Sequence, residues 1–516
     1  MARLHEFQGK ELLKKFNINI PKGKVASSIE EVKSIVSEIG LPVVLKAQIW
    51  TTKRASMGGI QFADSVEEAV EKSKKLFALR VNNFKVEKIL IEEKLNITQE
   101  FYASIIIDDS KKQPLILFSS VGGSGIEEIA KEYPDKVAKM HINIVHGLRD
   151  YKARDLVIRA GIRGKLILSI SNALVGLWKA AREYDARTAE INPLVLTDDG
   201  TIYAADCRLT IDDYSVYRHP DLGIEIAREF DHPPTELEKI AFNVEKNDHR
   251  GTFYFIQLQE NIDKDQKYIG FHGAGGGGSM MSMDAVTKKG FKIANFTDTS
   301  GNPSASKVYR AAKIILSQKG IIGYFGSGSG VASQEQTNSA RGLVKAFRED
   351  NLSIPAVIRL GGNQEDLAVK ILTKYTKDLP APVEGYKKDD SADFCAERLQ
   401  ILIDSYKEVN KADQIQKNPV YKESYSFKTL TGSVIFDFSK CESCASKACI
   451  EACDPGILKI EENHPVLGIS EEEAKKGKCT ECLACELACE FEGNKGLYIN
   501  LPIPGLEEYR KKYKGE

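Results

Sequence analysis

Residues 268–286 read YIGFHGAGGGGSMMSMDAV, an apolar strand followed by a glycine loop and a helix. The same order recurs along the chain, with strands predicted at 268–271, 293–296, 321–325 and 357–360 and helices at 283–289, 305–319, 334–349 and 365–372. Repeated strand–loop–helix units are typical of a doubly wound parallel sheet. We therefore predict an α/β domain over residues 250–406.

The loops of these units predict a ligand site. In such sheets ligands gather outside the carboxyl ends of the strands, where the sequence places GAGGGG (273–278), a turn at 298–302, GSGSG (326–330) and GGN (361–363). Backbone N–H groups at a helix start hold phosphate or carboxylate, although such glycines also serve simply as flexible turns. The candidate anion contacts in these loops are His272, Gly326, Gly328 and Gly330, to which the family resemblance described below gives the role of substrate contacts. His272 has two further readings, a packed histidine and a phosphate acceptor.

The first 240 residues follow a different pattern. Helical spacing at 30–39 precedes a strand at 43–48, and Ser65 with Glu68 forms a capping-box signature for the next helix. A strand at 88–93 and hairpins at 100–119 and 190–206 complete the segment. We predict an α+β domain over residues 1–240, so the whole chain is α/β and α+β multidomain.

Composition excludes several classes of protein. A chain of 516 residues with 42% apolar residues is long enough for about three folded domains. Lys plus Arg number 72 against 73 for Asp plus Glu, so no net cationic field attracts nucleic acid. The start, MARLHEFQGKELL, lacks an apolar signal core, and no run approaches the ~20 residues of a membrane span. We expect a cytoplasmic protein.

Eight of the ten cysteines lie between residues 441 and 489, after a polar linker predicted at 407–425. They form two groups of four: Cys441, Cys444, Cys449 and Cys453, then Cys479, Cys482, Cys485 and Cys489. The second spacing matches a bacterial ferredoxin run, in which the fourth cysteine ligates the other cluster. The first has two extra residues before Cys449, and no proline follows Cys489. We predict a ferredoxin-like domain over residues 426–505 with two [4Fe-4S] clusters for electron transfer; two structural zinc sites are the alternative.

A magnesium site is predicted on the 190–206 hairpin. If Asp198, Asp199 and Gly200 form a three-residue loop, Asn192 lies opposite Asp206. Strand alternation then places Glu190 on the same face. An amide oxygen beside a carboxylate suits Mg²⁺, whose shell is completed by water and phosphates. A solvated polar strand face is the alternative.

With these residues in view, the chain resembles the β subunit of ADP-forming succinyl-CoA synthetase over roughly residues 1–403. The matching stretches are LHEFQGKELL (4–13), VVLKAQ (43–48), IEE (91–93), EINPL (190–194), GAG (273–275), NF (295–296) and VIRLGGN (357–363). The resemblance implies an ATP-grasp domain followed by a flavodoxin-like CoA-ligase domain. It assigns ATP contacts to Lys46, Arg54, Glu92 and Glu100, Mg²⁺ to Asn192 and Asp206, and orientation of a partner histidine to Glu190.

Two departures from the family pattern bear on function. A glycine-rich run that closes over the phosphates is replaced by WTTKRASM (50–57), whose side chains obstruct close backbone approach, although Arg54 survives. The asparagine before Gly-Ala-Gly is replaced by His272. We therefore expect altered nucleotide contacts, with ATP binding retained, and an acid substrate other than plain succinate.

The resemblance also implies partners. The family's phosphohistidine and CoA-binding domain belong to an α-type subunit, and this chain shows no second dinucleotide fingerprint. We expect that subunit as a partner, together with redox subunits for the clusters. The first interpretation is an ADP-forming acyl-CoA ligase subunit with a fused electron-transfer module. The alternative is a ligase-derived scaffold that serves an oxidoreductase complex and has lost ligase activity.

Overall fold

The structure is a computed structural model that describes residues 2–50, 54–81, 84–122, 131, 133–228, 230, 232–246, 248, 251–260, 262, 265–328, 335–406 and 422–513. It divides into two compact units, Met1–Pro234 and Thr235–Glu516. Gly330 and most of the predicted linker, residues 407–421, lie outside the described residues. The four domain limits drawn from the sequence stay a prediction.

The described part of the first unit contains two antiparallel sheets of four and seven strands and a separate antiparallel sheet of two strands. Its strands are β1 (Ala2–Arg3), β2 (Gly23–Ala26), β3 (Val43–Ala47), β4 (Ile60–Ala63), β5 (Arg80–Val81), β6 (Phe84–Lys85), β7 (Ile89–Glu93), β8 (Ile97–Asp108), β9 (Gln113–Ser119), β10 (Val137–His141), β11 (Ala186–Thr197), β12 (Ile202–Ala204) and β13 (Cys207–Ile211). Its described helices are α1 (Glu6–Lys15), α2 (Ile29–Ile39), α3 (Val66–Ala78), α4 (Asp150–Arg159) and α5 (Leu166–Glu183).

The smaller sheet has the order β2-β7-β3-β4, and α2 and α3 pack on it. The larger sheet has the order β1-β13-β11-β8-β9-β10, with β12 paired to β11. Apolar residues of α1 and α5 are buried in the same core as the inward side of this sheet. The Ser65 cap forms as predicted, since its side chain accepts the Glu68 N–H at 3.1 Å. The reciprocal bond runs from the backbone of Asp64 to Glu68, one residue earlier than the sequence signature implies.

The second unit contains the parallel sheet and the cysteine-rich segment predicted at residues 426–505, which we call the cysteine module. Its strands are β14 (Tyr254–Gln257), β15 (Tyr268–Ala274), β16 (Lys292–Ile293), β17 (Asn295–Asp298), β18 (Gly323–Gly328), β19 (Ala356–Arg359), β20 (Val383–Tyr386), β21 (Tyr425–Lys428), β22 (Ser433–Phe436), β23 (Leu458–Glu461), β24 (His464–Leu467) and β25 (Leu497–Asn500). Its helices are α6 (Glu236–Lys246), α7 (Gly276–Lys288), α8 (Ala305–Ile315), α9 (Gln336–Glu349), α10 (Glu365–Tyr375), α11 (Ala392–Ser405), α12 (Phe438–Cys441), α13 (Ala448–Glu451), α14 (Glu471–Glu473), α15 (Ala484–Glu492) and α16 (Leu506–Tyr513), with a π-helical turn at Ala474–Lys478.

The sheet order β14-β17-β15-β18-β19-β20 is parallel except for β14, which is antiparallel to β17. Successive side chains enter different cores. Tyr324 belongs to the core beneath α8 and α9, whereas Phe325 belongs to the core beneath α7 and α11. Helices therefore cover both faces, which confirms the predicted doubly wound class.

Helix α7 begins at Gly276, seven residues earlier than predicted. Glycine is a poor helix former, so sequence preference assigned residues 276–278 to a loop. In the structure these glycines form the first turn, and the Gly275 N–H is bound by the Asp298 carboxylate at 2.9 Å. The edge strands β14 and β20 and helix α11 were also missing from the sequence prediction.

The cysteine module is built from two similar halves. Strands β22 and β25, one before the first cysteine group and one after the second, pair antiparallel. Helices α13 and α15, which each carry cysteines, pack against each other, and the β23–β24 hairpin connects the halves. Apolar residues of the module, including Phe436, Leu487 and Ile499, belong to the same core cluster as α8 and α9.

None of the described helices combines the length and the apolar character that crossing a membrane requires.

Candidate functional site

The predicted hairpin register is present in the first unit. Leu194 pairs with Ala204 and Glu190 pairs with Arg208, so Asn192 lies opposite Asp206. The Asn192 N–H donates to the Asp206 carbonyl at 3.2 Å. The turn has Gly200 at φ +83°, the left-handed conformation that glycine adopts most easily. Asn192 Nδ2 lies 3.4 Å from Glu190 Oε1, which places both side chains on one face.

Four of the predicted site residues, Lys46, Arg54, Glu92 and Asp206, meet in a buried charge cluster. Lys46 Nζ lies 2.8 Å from Glu92 Oε2 and 2.6 Å from the Ala205 carbonyl. Arg54 ion-pairs with the carboxylate of Asp206, the acid assigned to Mg²⁺. Lys46, near the end of β3, thus contacts the hairpin through the Ala205 carbonyl. Arg54, in the turn after residue 53, contacts the hairpin through Asp206.

Two members of the cluster were not identified from the sequence. Glu6 and Lys10 lie one turn apart on α1 and ion-pair at 2.8 Å. Glu6 also contacts Lys46 at 2.9 Å and Arg54 at 2.6 Å, while Lys10 contacts Glu92 at 2.5 Å. The one signal in the sequence was a charged pair on the helix face that also carries the buried residues Gly9 and Leu13. We call Glu6, Lys10, Lys46, Arg54, Glu92 and Asp206 the α1 charge cluster.

Opposing charges fix the ionisation of this cluster. Burial raises the pKa of Glu6, but Lys10, Lys46 and Arg54 outweigh it and hold that pKa well below its usual value. Burial lowers the pKa of Lys46, yet the neighbouring acids raise it above the ordinary lysine value. Burial and Glu6 raise the pKa of Asp206, against the opposing effect of Arg54. Three acids and three bases compensate one another, so the cluster is neutral overall.

Glu190 and Glu100 lie outside this cluster. Glu190 is partly buried on β11 beside Asn192, and burial raises its pKa, which Asn192 and Arg208 oppose. Glu100 is exposed on β8, opposite Val195 of β11. The residues Thr51, Thr52 and Lys53 of the altered glycine run lie outside the described residues.

The predicted acyl site occupies the carboxyl edge of the parallel sheet. His272 of β15 pairs in register with Gly326 of β18. The His272 ring is buried, with Nδ1 2.5 Å from the Tyr324 hydroxyl and Nε2 3.3 Å from Thr299 Oγ1. Burial lowers the pKa of His272 to about 4, so the ring is neutral near pH 7. Among the alternatives for His272, this geometry is that of a packed, hydrogen-bonded histidine.

A residue missed at this edge is Arg359, from the VIRLGGN stretch. Its guanidinium donates to the carbonyls of Gly328, Lys388 and Asp390 at 3.2, 2.6 and 2.7 Å. These bonds hold the end of β18, where the predicted substrate loop begins. Sequence patterns could not place this cation, because its partners lie about thirty residues away on either side.

The eight clustered thiols fall into two sets of four. Burial and three neighbouring sulfurs raise the pKa of Cys449 to about 12; those neighbours are Cys489, Cys441 and Cys444. Burial likewise raises the pKa of Cys485, and its sulfur neighbours are Cys482, Cys453 and Cys479. Each set thus combines three cysteines of one sequence group with the last cysteine of the other. None of the chain's ten cysteines forms a disulfide.

The described residues contain no site for a single metal ion built from three or more of the usual side-chain ligands, His, Cys, Asp and Glu. The hairpin provides Asp206 and the amide of Asn192, and Arg54 engages that carboxylate.

The chain is similar in sequence to known proteins over most of its length. Residues 3–196 match the ATP-grasp domain family. The GDP-forming succinate–CoA ligase β subunit of Thermus thermophilus is 37% identical over 386 residues, which cover 74% of this chain and 97% of that protein. The ADP-forming β subunit 2 of Archaeoglobus fulgidus is 37% identical over 382 residues, covering 73% and 94%.

A solved structure shares the fold. ATP citrate lyase from Methanothrix soehngenii, in complex with citrate and coenzyme A, superposes with a TM-score of 0.60 at 18% identity, covering 78% of this chain and 99% of that one. That likeness agrees with the α/β multidomain class read from the sequence. On the identity with its curated relatives, the chain belongs to the family of succinate–CoA ligase β subunits, which are subunits of an enzyme.

Proposed function

We propose that this chain is the nucleotide-binding subunit of an ADP-forming acid–thiol ligase, and that its cysteine module carries two [4Fe-4S] clusters for electron transfer. The observation that carries the ligase half is the placement of Asn192 opposite Asp206, with Lys46 and Arg54 within the same cluster. Family membership assigns this constellation to nucleotide and metal binding. In this proposal the chain acts in the cytoplasm with an α-type subunit that binds CoA and carries a phosphohistidine.

The chain's residues have separate tasks in that reaction. Lys46 and Arg54 place positive charge against the phosphates of ATP, and Glu100 is an exposed acid for the nucleotide. The Asn192 amide oxygen and the Asp206 carboxylate would hold Mg²⁺, which neutralises phosphate charge during transfer. Glu190, on the same face, accepts a hydrogen bond from the partner's imidazole and so orients it.

Glu92 departs from the role that the family pattern gives it. Its side chain is buried and bound to Lys10 and Lys46. In the proposal Glu92 positions Lys46, and it does not itself contact ATP. The acid substrate binds at the loop that begins at Gly326 and Gly328. His272 does not contact the substrate; its hydrogen bonds to Tyr324 and Thr299 hold the carboxyl edge of the sheet in place.

The cluster half rests on the two thiol sets. Four thiolates on a [4Fe-4S] cube bind four different irons, so the donors lie further apart than around one Zn²⁺. The crossed sets, Cys441, Cys444, Cys449 and Cys489, then Cys453, Cys479, Cys482 and Cys485, are the ones that a two-cluster ferredoxin uses. When bound, such clusters supply one-electron transfer. About a quarter of the chain lies outside the length shared with its ligase relatives, which leaves room for this module.

Reconstitution with the cognate CoA-binding subunit tests the ligase half. We expect ATP-dependent, acid-labile phosphorylation of that partner, discharged by a suitable carboxylic acid and CoA. The chain alone should show neither reaction, because the proposal places the acceptor histidine on the α-type subunit. Phosphorylation of His272 in the isolated chain would contradict the two-subunit account.

Metal analysis of anaerobically purified protein tests the cluster half. Two four-iron clusters require about eight iron and eight sulfide per chain. Stoichiometric zinc without charge-transfer absorbance would replace the clusters by structural zinc sites. Partner redox subunits should then be absent from the native complex.

A specific observation favours a second function. In the α1 charge cluster Arg54 ion-pairs with Asp206, the acid proposed to bind Mg²⁺. In addition, residues 50–57 lack the family's glycine-rich run. A scaffold of an oxidoreductase complex that has lost ligase activity would retain such internal pairing. A reconstituted complex that binds no nucleotide and transfers electrons through the module would establish this alternative.

A further inference from the structure

A cavity of about 670 Å³ lies in the second unit between the start of helix α8 and the cysteine module. Ser306 and Arg310 of α8 line one wall, and Thr431, Glu481 and Cys479 of the module line the other. Its volume is in the range of sites that hold small molecules and cofactors. All the residues that line the cavity belong to the second unit, whereas the α1 charge cluster belongs to the first. The cavity is therefore a separate site.

Arg310 gives the cavity a buried cation. The residue is 6% exposed, and its guanidinium donates to Thr431 Oγ1 and the Thr431 carbonyl at 2.9 Å and to the Pro502 carbonyl at 3.1 Å. All three acceptors are neutral. A guanidinium has five N–H groups, and buried charges are ordinarily paired with an opposite charge.

The acids of the cavity are already engaged. Asp248 ion-pairs with Lys307. Glu481 accepts hydrogen bonds from the side chains of Thr429 and Thr431 at 2.6 Å and from the Thr431 N–H at 2.7 Å. Burial lowers the pKa of the Arg310 guanidinium and outweighs Glu481 and Asp248, which favour its charged form. The two carboxylates therefore compensate the buried cation only in part, which leaves room for a further anion.

The rim adds positive charge. Lys428 and Lys475 are exposed lining residues, so the cavity has four cationic side chains against two acidic ones. Hydroxyl groups of Ser304, Ser306 and Thr480 also line it. Cations and hydroxyls together are the donors that phosphate oxygens accept.

We propose that this cavity binds a phosphorylated organic anion of nucleotide size, with its phosphate on the Arg310 side. The binding site stands independently of the metal content of the module. Its consequence rests on the proposed function: because Cys479 lines the cavity, the ligand lies beside one cluster. A nearby anion stabilises the more positive, oxidised cluster, so binding lowers that cluster's reduction potential.

Flavin mononucleotide is a suitable first probe, because its fluorescence reports binding, and inorganic pyrophosphate serves as a competitor. The anaerobically purified full chain is titrated with each. We expect saturable flavin mononucleotide binding that pyrophosphate displaces. The variant Lys428→Glu/Lys475→Glu should bind at least tenfold more weakly, because two rim charges are reversed.

The matched control is Lys370→Glu/Lys459→Glu, which reverses two exposed lysines that do not line the cavity. Its affinity should equal that of the wild type. Arg310→Met removes the buried charge at similar length and should abolish binding; if it does not fold, the rim variants decide alone. No binding at millimolar probe, or equal affinity in the rim variant and the wild type, overturns the proposal.

The experiments distinguish failure of the ligand-site proposal from failure of the cluster proposal. A chain that lacks iron but binds the probe at full strength refutes the cluster assignment and supports the site. A chain with intact clusters and no probe binding overturns the site alone. Where both hold, a probe-dependent fall in the potential of one cluster, followed by electron paramagnetic resonance, supports the proposed position beside Cys479.

Discussion

The guanidinium of Arg54 ion-pairs with the carboxylate of Asp206, and the same guanidinium contacts Glu6 at 2.6 Å. Asp206 is the acid that the hairpin register offers to Mg²⁺. In the proposed function, Arg54 and Mg²⁺ would therefore compete for one carboxylate. Substrate phosphates can relieve this competition, because they give Arg54 another anion while Mg²⁺ takes Asp206.

Removing Arg54 tests this competition. Arg54→Met leaves the buried Glu6 with one cation fewer and Asp206 without its ion pair, and breaking a buried pair costs roughly 3–5 kcal/mol. We expect the first unit to lose stability by about that amount in urea unfolding. Mg²⁺ should restore part of the loss in the variant and little in the wild type, since the variant exposes Asp206 to the metal.

The control for this prediction is Lys72→Met. Lys72 forms a surface pair with Glu68 at 2.5 Å, and such pairs contribute about 0–1 kcal/mol. A similar loss in both variants, or no response to Mg²⁺ in Arg54→Met, would contradict the shared role of Asp206.

The buried His272 ring predicts a pH dependence of stability. Burial lowers its pKa to about 4 from the ordinary 6.5, so the unfolded chain binds this proton first as pH falls. Stability should therefore decrease between pH 6.5 and 4, with about 2 kcal/mol lost at pH 5 relative to pH 7.5. His272→Asn, which restores the family residue, should lack this contribution.

Urea unfolding of the second unit at both pH values measures the effect, and the variant subtracts the titration of all other groups. Equal pH dependence in the wild type and His272→Asn would show that the ring is accessible to protons in the folded chain.

The hairpin was predictable from sequence because its determinants are local. Gly200 allows the left-handed turn, and the turn length alone then sets Asn192 opposite Asp206. The contribution of Glu6 was not predictable in this way. Its partners Lys46 and Arg54 are 40 and 48 residues further along the chain, and only the folded unit brings them together.

Helix α8 shows a second limit of sequence patterns. Lys307, Arg310 and Lys313 lie at helical spacing and are typical of a solvent face, yet all eleven residues of the helix are buried. Residues of the cysteine module and α16 bind this face: Thr431 and Pro502 accept from Arg310, and Arg510 donates to the Lys313 carbonyl. A polar linker before the module gave no indication that the module would dock here.

The docked module depends on a buried ion pair that can be tested. Lys345 of α9 contacts Glu486 of the module at 2.6 Å and Glu349 at 2.9 Å, with all three side chains largely buried. Lys345→Met should destabilise the second unit by roughly 3–5 kcal/mol, because two acids are left beside an apolar side chain.

The matched variant is Lys374→Met. Lys374 reaches Glu492 of the same module at 3.4 Å, but both side chains are half exposed, so about 0–1 kcal/mol is expected. Urea unfolding compares the two. Equal small effects would mean that α9 does not hold the module.

The crossed thiol sets give the sharpest test of the cluster assignment. Cys489 is grouped with Cys441, although 48 residues separate them, while its near neighbour in sequence, Cys485, belongs to the other set. Cys489→Ser should therefore alter the same cluster as Cys441→Ser, and Cys453→Ser should alter the same cluster as Cys482→Ser. Each pair should share one electron paramagnetic resonance spectrum and one reduction potential, because both members remove a ligand from one cube. Cys395→Ser, outside both groups, should leave iron content unchanged.

Gly496→Ala offers an independent check of the crossed thiol sets, since a Cβ there would come within 2.9 Å of Cys441 Sγ and 3.1 Å of the Asp437 carbonyl. That variant should perturb only the cluster that Cys489→Ser perturbs. If Cys489→Ser instead reproduces the spectrum of Cys482→Ser, each sequence group holds its own cluster and the crossed assignment is wrong.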